Sequence, residues 1–225
     1  MTDSIDSAAK LRPSKTKERQ FKGLSMAERQ QARREKLIEA GIEAYGSYGF
    51  FSVTVKDICN EAKLTERYFY ESFKKSEHLF QTIFLKLIDE LQQNVMQAMM
   101  QASTDPKKMI EAGLTALRTT LRDNPRMARI IYIDAMLVQE LHNQATIHET
   151  MSRFDRMIHA FVMLMMPQLN RSEQEISLVS TGLNGYVTQI AIRWVMSGFK
   201  HSLEEVLSSC SVVFLALLES FSEKK

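Results

Sequence analysis

Apolar residues recur every three to four positions over most of this chain, the period of a helix with one face buried. No segment shows the two-residue alternation of a strand, and no internal repeat is evident. Helix-start signals cut the pattern into pieces. Ser25–Glu28, Thr146–Glu149, Ser172–Glu175 and Ser202–Glu205 each read as a capping box, in which a hydroxyl and a carboxylate satisfy free backbone N–H groups. Asp105 and Asn124 precede a first-turn proline, and Thr54 (with Asp57), Thr65 and Ser76 mark further starts. The chain therefore reads as all-α, with about nine helices over 26–47, 54–61, 65–73, 77–102, 106–122, 125–140, 146–167, 172–197 and 203–222.

The first three helices form one small unit. Helix one carries a single narrow stripe (Leu37, Gly41, Ala44, Tyr45, Tyr48), enough for two short neighbours. The later helices are longer and more apolar, so the division falls near residue 80. Residues 1–24 lack periodicity and read as a flexible basic arm. The expected organisation is an arm (1–24), a small head (25–80) and a larger body (81–225).

Composition narrows the class. Eight Gly and four Pro in 225 residues suit helices rather than a turn-rich β fold. Cys59 and Cys210 read as small core residues in a reducing compartment. The polar start lacks a signal peptide's apolar run, and the longest apolar runs, Ala160–Met166 and Val212–Leu218, are far too short to span a membrane. A cytoplasmic protein without membrane contact is expected. Charge is unevenly placed. Lys10 to Lys36 holds ten basic and three acidic residues, whereas 81–225 is close to neutral. A basic end on a neutral body suits contact with a polyanion through that end.

The segment Thr54–Phe80 reads as two short helices joined by a tight turn. At 100° per residue, Phe69 and Phe73 mark the core side of the second helix and Arg67 points away from them. Tyr68 and Tyr70 flank it, Thr65 caps it, and Lys74 and Lys75 follow it. This suits a helix in a DNA major groove: Arg67 toward guanine, the hydroxyls and lysines toward phosphates. Arg33 and Arg34, in the basic run, are further DNA candidates.

LTERYFYESF, followed by Lys75, Glu77, Leu79 and Phe80, resembles the recognition helix of the TetR (TetR/AcrR) family of bacterial transcription regulators. The likeness extends over about residues 30–80, through Arg34, Leu37, Ala40, Ala44, Tyr48-Gly49-Phe50, Thr54-Val55, Ile58, Ala62 and Leu64. It implies a three-helix DNA-binding head on a helical ligand-binding body, acting as a homodimer on a near-palindromic operator. It adds Thr54, Val55 and Glu66 to the DNA contacts, and implies that a lysine just after the helix meets phosphate; Lys74 and Lys75 both fit. Lys63 stands where the family usually has Gly in the turn. The arm is expected to reach a minor groove or phosphates.

Helices eight and nine are apolar nearly all round. They suit a symmetric four-helix dimer interface, with Gly182, Gly185, Val206, Cys210, Val213 and Leu217 as candidates; a central place in one large core would also account for them. The middle helices are rich in Met, which suits either core filling or an adaptable pocket for a hydrophobic effector. Met99, Arg118, Phe154, His159, Asn184 and Gln189 are the candidate ligand contacts. No phosphate loop, nucleophile elbow, HExxH or metal-ligand spacing is present, so no enzyme, cofactor or metal is expected. The favoured function is a ligand-responsive repressor. The alternative is a helical scaffold whose basic head meets another acidic partner.

Overall fold

The computed structural model describes residues 25–143, 145–165 and 171–222; the basic arm 1–24 lies outside them. Among the described residues the architecture is all-α, with nine main helices. The first three are α1 (Met26–Tyr48), α2 (Val55–Glu61) and α3 (Glu66–Ser72), with a 3-10 turn (Phe50–Ser52) after α1. Next come α4 (Ser76–Ala102) and α5 (Pro106–Asp123). Helix α6 starts as Pro125–Arg129, widens into a π turn (Ile130–Asp134) and finishes as Ala135–Leu137. A short helical turn (Gln139–Asn143) leads to α7 (Thr146–Met165), α8 (Glu173–Met196) and α9 (Leu203–Ser222).

Capping sets most of these starts. Ser25, Thr54 and Ser172 form complete capping boxes with Glu28, Asp57 and Glu175. Ser202 and Glu205 exchange the same pair of bonds. Asp105 Oδ1 accepts from the Lys107 N–H at 2.8 Å, and Asn124 Oδ1 from the Met127 N–H at 3.1 Å. Three starts differ from expectation. Thr65 precedes α3 but its side chain makes no capping bond, and Ser76 is the first residue of α4 rather than its cap. Thr146 is buried, and its Oγ1 accepts from Gln81 Nε2 at 2.9 Å, so it ties α7 to α4 instead of boxing with Glu149. Helix six, expected unbroken over 125–140, contains the π turn and leaves helical geometry at Val138.

Helix α4 joins the two ends of the molecule. Its first turns bury Leu79, Phe80 and Ile83 under α1. Gly41 permits that approach, since a Cβ there would stand 2.6 Å from Ile83 Cδ1. Phe80 also packs against Tyr45 and Phe50, with ring centroids 5.5 and 5.0 Å away. Farther along, Leu87, Ile88, Leu91 and Val95 enter the core formed with α5 and α7. Helix α5 packs on α9, and α7 on α8.

The start of α6 clasps the end of α1. Arg126 Nη2 lies 2.7 Å from Glu43 Oε1, and its Nε donates to Ser47 Oγ at 3.1 Å. Gly49, at φ 86°, leaves room for the Arg129 guanidinium. Asp134, buried in the π turn, accepts a bond from the Phe50 backbone and lies 3.5 Å from Arg129 Nε. Burial pushes its carboxyl pKa up, against the pull of Arg129.

The helices approach closely at Gly46, where an added Cβ would meet Arg126 Cβ at 2.3 Å and its Cα at 2.9 Å. Gly46→Ala is expected to lower stability by about 1–3 kcal/mol through overpacking. A urea midpoint that did not fall would show that α1 and α6 separate without cost.

Candidate nucleic-acid interface and effector cavity

The turn between α2 and α3 closes with three backbone bonds: Ala62 N–H to Ile58 O, Lys63 N–H to Asn60 O and Leu64 N–H to Cys59 O. The last is the bond that ends a helix through a left-handed residue. That residue is Lys63, at φ 54°. The conformation served by Gly in the resembled family is thus kept here by a lysine, at a cost of about 1–2 kcal/mol.

Phe69 and Phe73 are fully buried and fix α3 on the head core. Away from them Thr65, Glu66, Arg67, Tyr70, Lys74 and Lys75 are exposed, as is Thr54 at the start of α2; Val55 beside it is half-buried. The Arg67 side chain is 84% exposed and its Nε lies 3.1 Å from Glu71 Oε1. This side of α3 therefore offers a guanidinium, a phenol, hydroxyls and lysines together.

Arg33 and Arg34 do not join that surface as free cations. The Arg33 guanidinium lies 4.4 Å over the half-buried Tyr68 ring and 3.9 Å from Glu71, while Arg34 stacks 4.9 Å over Phe73. Both brace α1 against α3 through cation–π contacts. Tyr68 is correspondingly turned toward α1, and Tyr70 is the open phenol.

Inside the body, two apolar cavities of about 80 and 290 Å³ adjoin through Leu117, Phe154, Asn184 and Val187. Met99, Phe154 and Asn184 line them, as three of the six ligand candidates. The other three do not. His159 and Gln189 line neither cavity although each follows a lining residue (Ile158 and Thr188), and Gln189 is exposed on the outer side of α8. Arg118 is buried between α5 and α9, where its Nε donates to Leu114 O at 3.0 Å and its charge lies near Cys210. Asn184 is held by Asp155 Oδ1 at 2.7 Å, and Thr181 donates to the other carboxylate oxygen. Sequence periodicity missed the α6 end of the larger cavity, where Ile131, Tyr132, Ala135 and the exposed Met136 reach it through and just after the π turn. A π turn shifts the phase of a helix, and the residue pattern carries no signal for it.

On the outer side of α8, Gly182 and Gly185 lie open, with nothing within 4 Å of an added Cβ. Exposed Leu178 and Met196 continue this stripe, and Val212 is exposed on α9. Val206 and Cys210 face the other way, buried within their own chain, and Val213 and Leu217 are half-buried. The reason is helical phase: the side of α9 carrying Val206 and Cys210 packs inward, leaving Val212 outside.

No described helix is long and apolar enough to cross a membrane, and no described cluster of His, Cys, Asp and Glu could hold a metal ion. No family model and no curated protein matches the chain. Solved structures do match. The fatty acid degradation regulator FadR of Bacillus halodurans superposes with a TM-score of 0.68 at 14% identity, over 80% of this chain and 93% of that one. FadR of Bacillus subtilis, solved in complex with stearoyl-CoA, gives 0.64 at 13% identity over 80% and 96%. A TetR-family regulator of Syntrophomonas wolfei gives 0.68 at 12% identity over 83% and 95%. The fold is that of the TetR-type transcriptional regulators.

Two outcomes follow for the α2–α3 unit. Lys63→Gly is expected to raise stability by about 0.5–1 kcal/mol by removing the left-handed penalty; an unchanged urea midpoint would mean the turn carries no strain. The Asp57 carboxyl is held below the ordinary carboxylate range by bonds from the Thr54 side chain and backbone. Its contribution is present above that range and fades as pH falls through its folded midpoint. Thr54→Ala should move the Asp57 midpoint upward in a carboxyl NMR titration, and a static midpoint would contradict the capping assignment.

Proposed function

We propose that this chain is a ligand-responsive transcription regulator, in which residues 25–80 read operator DNA and residues 81–225 hold an effector and a second subunit. The observation that carries this is the open side of α3. Glu66, Arg67 and Tyr70 are exposed on a helix locked by Phe69 and Phe73, with exposed Thr65 at its start and exposed Lys74 and Lys75 just after it. Such a helix can enter a major groove with Arg67 toward a base edge and its neighbours toward phosphates. Thr54 and Val55 supply the second helix's contacts. Arg33 and Arg34 act at one remove, by holding α3 in place. The arm 1–24, on its charge alone, adds salt-sensitive affinity.

The partner is a second copy of the chain. The Leu178–Gly182–Gly185–Met196 stripe and Val212 offer an apolar face with room for close helix approach. Two-fold symmetry then favours a near-palindromic operator, with recognition helices about 34 Å apart. The effector is hydrophobic, as the cavity lining indicates and as stearoyl-CoA in one protein of similar fold supports. An effector that favours another head spacing would release the operator, which makes the protein a repressor.

The test is a mobility-shift titration on DNA upstream of the chain's own gene against a scrambled competitor, at about 0.15 M salt. Preference for the specific DNA by on the order of 10³ is expected. Only salt-erased binding, there and in a selection from random DNA, would instead favour a scaffold with an acidic partner. Arg67→Ala should cost about 1–3 kcal/mol on the specific site and less on nonspecific DNA. Equal losses on both would remove Arg67 from base reading.

A further inference from the structure

The smaller apolar cavity borders a surface groove of different chemistry. An open groove of about 460 Å³ shares Met99, Met157 and Phe161 with the smaller cavity. Exposed Met96, Met100 and Leu164 make it unusually apolar for a surface. Two guanidiniums of α7 stand in it. Arg153 is held in place, with Nη2 2.6 Å from Asp89 Oδ1 and 2.9 Å from Gln92 Oε1. Arg156 is exposed and forms no ion pair with a described residue. Farther in, no lysine or arginine lines either cavity.

Cations thus stand at the groove, the smaller apolar cavity adjoins it as a neck, and the larger cavity lies beneath the π turn of α6, with exposed Met136 and His142 at its far end. We infer that the effector is a single-chain amphiphile with an anionic head, its chain passing from this groove into the cavity and its carboxylate or phosphate held at Arg156. The inference rests on the effector-binding reading of the body given above. Methionines at the neck adapt to such a chain. An ionised head cannot follow it inward without a large desolvation cost. At the groove, a guanidinium free of protein carboxylates meets a carboxylate or phosphate in bidentate geometry. Arg153, already paired, sets the positive rim and the position of α7 against α4.

The experiment is calorimetric titration of the full chain with hexadecanoate, hexadecanoyl-CoA and uncharged hexadecanol, each below its aggregation threshold. At least one anionic ligand is expected to bind tighter than hexadecanol by on the order of tenfold, the scale of one charge-assisted contact. Preference for hexadecanoate would assign a carboxylate head, and preference for the thioester a phosphate head. Arg156→Glu should abolish the preference while leaving hexadecanol affinity and the melting temperature unchanged. Equal binding of charged and uncharged ligands would overturn the inference. So would an Arg156→Glu protein that keeps the preference, or failure of all three to bind. The mobility shift without amphiphile separates the two readings. Specific DNA binding with no amphiphile preference removes only this inference; amphiphile binding without any operator removes only the regulator.

Discussion

One helix belongs to two cores, and the rest of the molecule is arranged around that fact. Helix α4 runs for 27 residues, about 40 Å. Its first turns complete the aromatic cluster of Tyr45, Phe50 and Phe80, and its later turns form a wall of the core shared with α5 and α7. Close-packed apolar contacts tolerate little sliding. In the proposed reading, a shift of α4 near the cavity would be carried along the helix to α1, on which α3 is mounted.

The second attachment adds polar contacts to close packing. Beside the tight fit of Gly46 on Arg126, α6 meets the end of α1 through Arg126 with Glu43 and Ser47, Arg129 with Asp134, and Asp134 with the Phe50 backbone. Exposed pairs of this kind contribute little, and a buried carboxylate with a raised pKa gives up much of its Coulomb gain to desolvation. The π turn sits at this point. Ile131 and Tyr132 line the chamber while Asp134 holds the turn after α1, so one five-residue turn faces the cavity with two residues and the head with another.

Much of this was legible in the residues, and the parts that were not share a cause. Capping boxes at Ser25, Thr54 and Ser172 are local, formed within four residues, and read directly. Phe69 and Phe73 announced the buried side of α3, and so the open one. What eluded the sequence was the choice among long-range partners. Arg33 and Arg34 look like free cations until Tyr68 and Phe73 are placed beneath them. Thr146 has the spacing of a cap, but Gln81 claims its hydroxyl from 65 residues away. Cys210 and Val212 look equally apolar, and only the position of α5 decides which one turns inward. Lys63 is instructive in the other direction. The turn keeps its left-handed residue without Gly, because the bonds from Ala62, Lys63 and Leu64 over-determine it.

In the proposed reading, binding and signalling need not run in parallel. A ligand shifts a conformational equilibrium only by its difference in affinity for the two states, and moving it from 1:99 to 99:1 takes about 10⁴-fold. The groove at Arg156 and the neck at Met99 and Phe161 lie far along α4 and α7 from the head contacts. Occupying them alone gives a ligand affinity but little reason to prefer one head position. The chamber beneath Ile131 and Tyr132 is where a chain meets the element that clasps α1. A short amphiphile that stops at Phe154 would bind and leave the operator occupied. One long enough to press on the π turn would gain its extra contacts in only one arrangement of α6. Chain length would then set the response more steeply than it sets affinity, because the discriminating contacts are the last ones made.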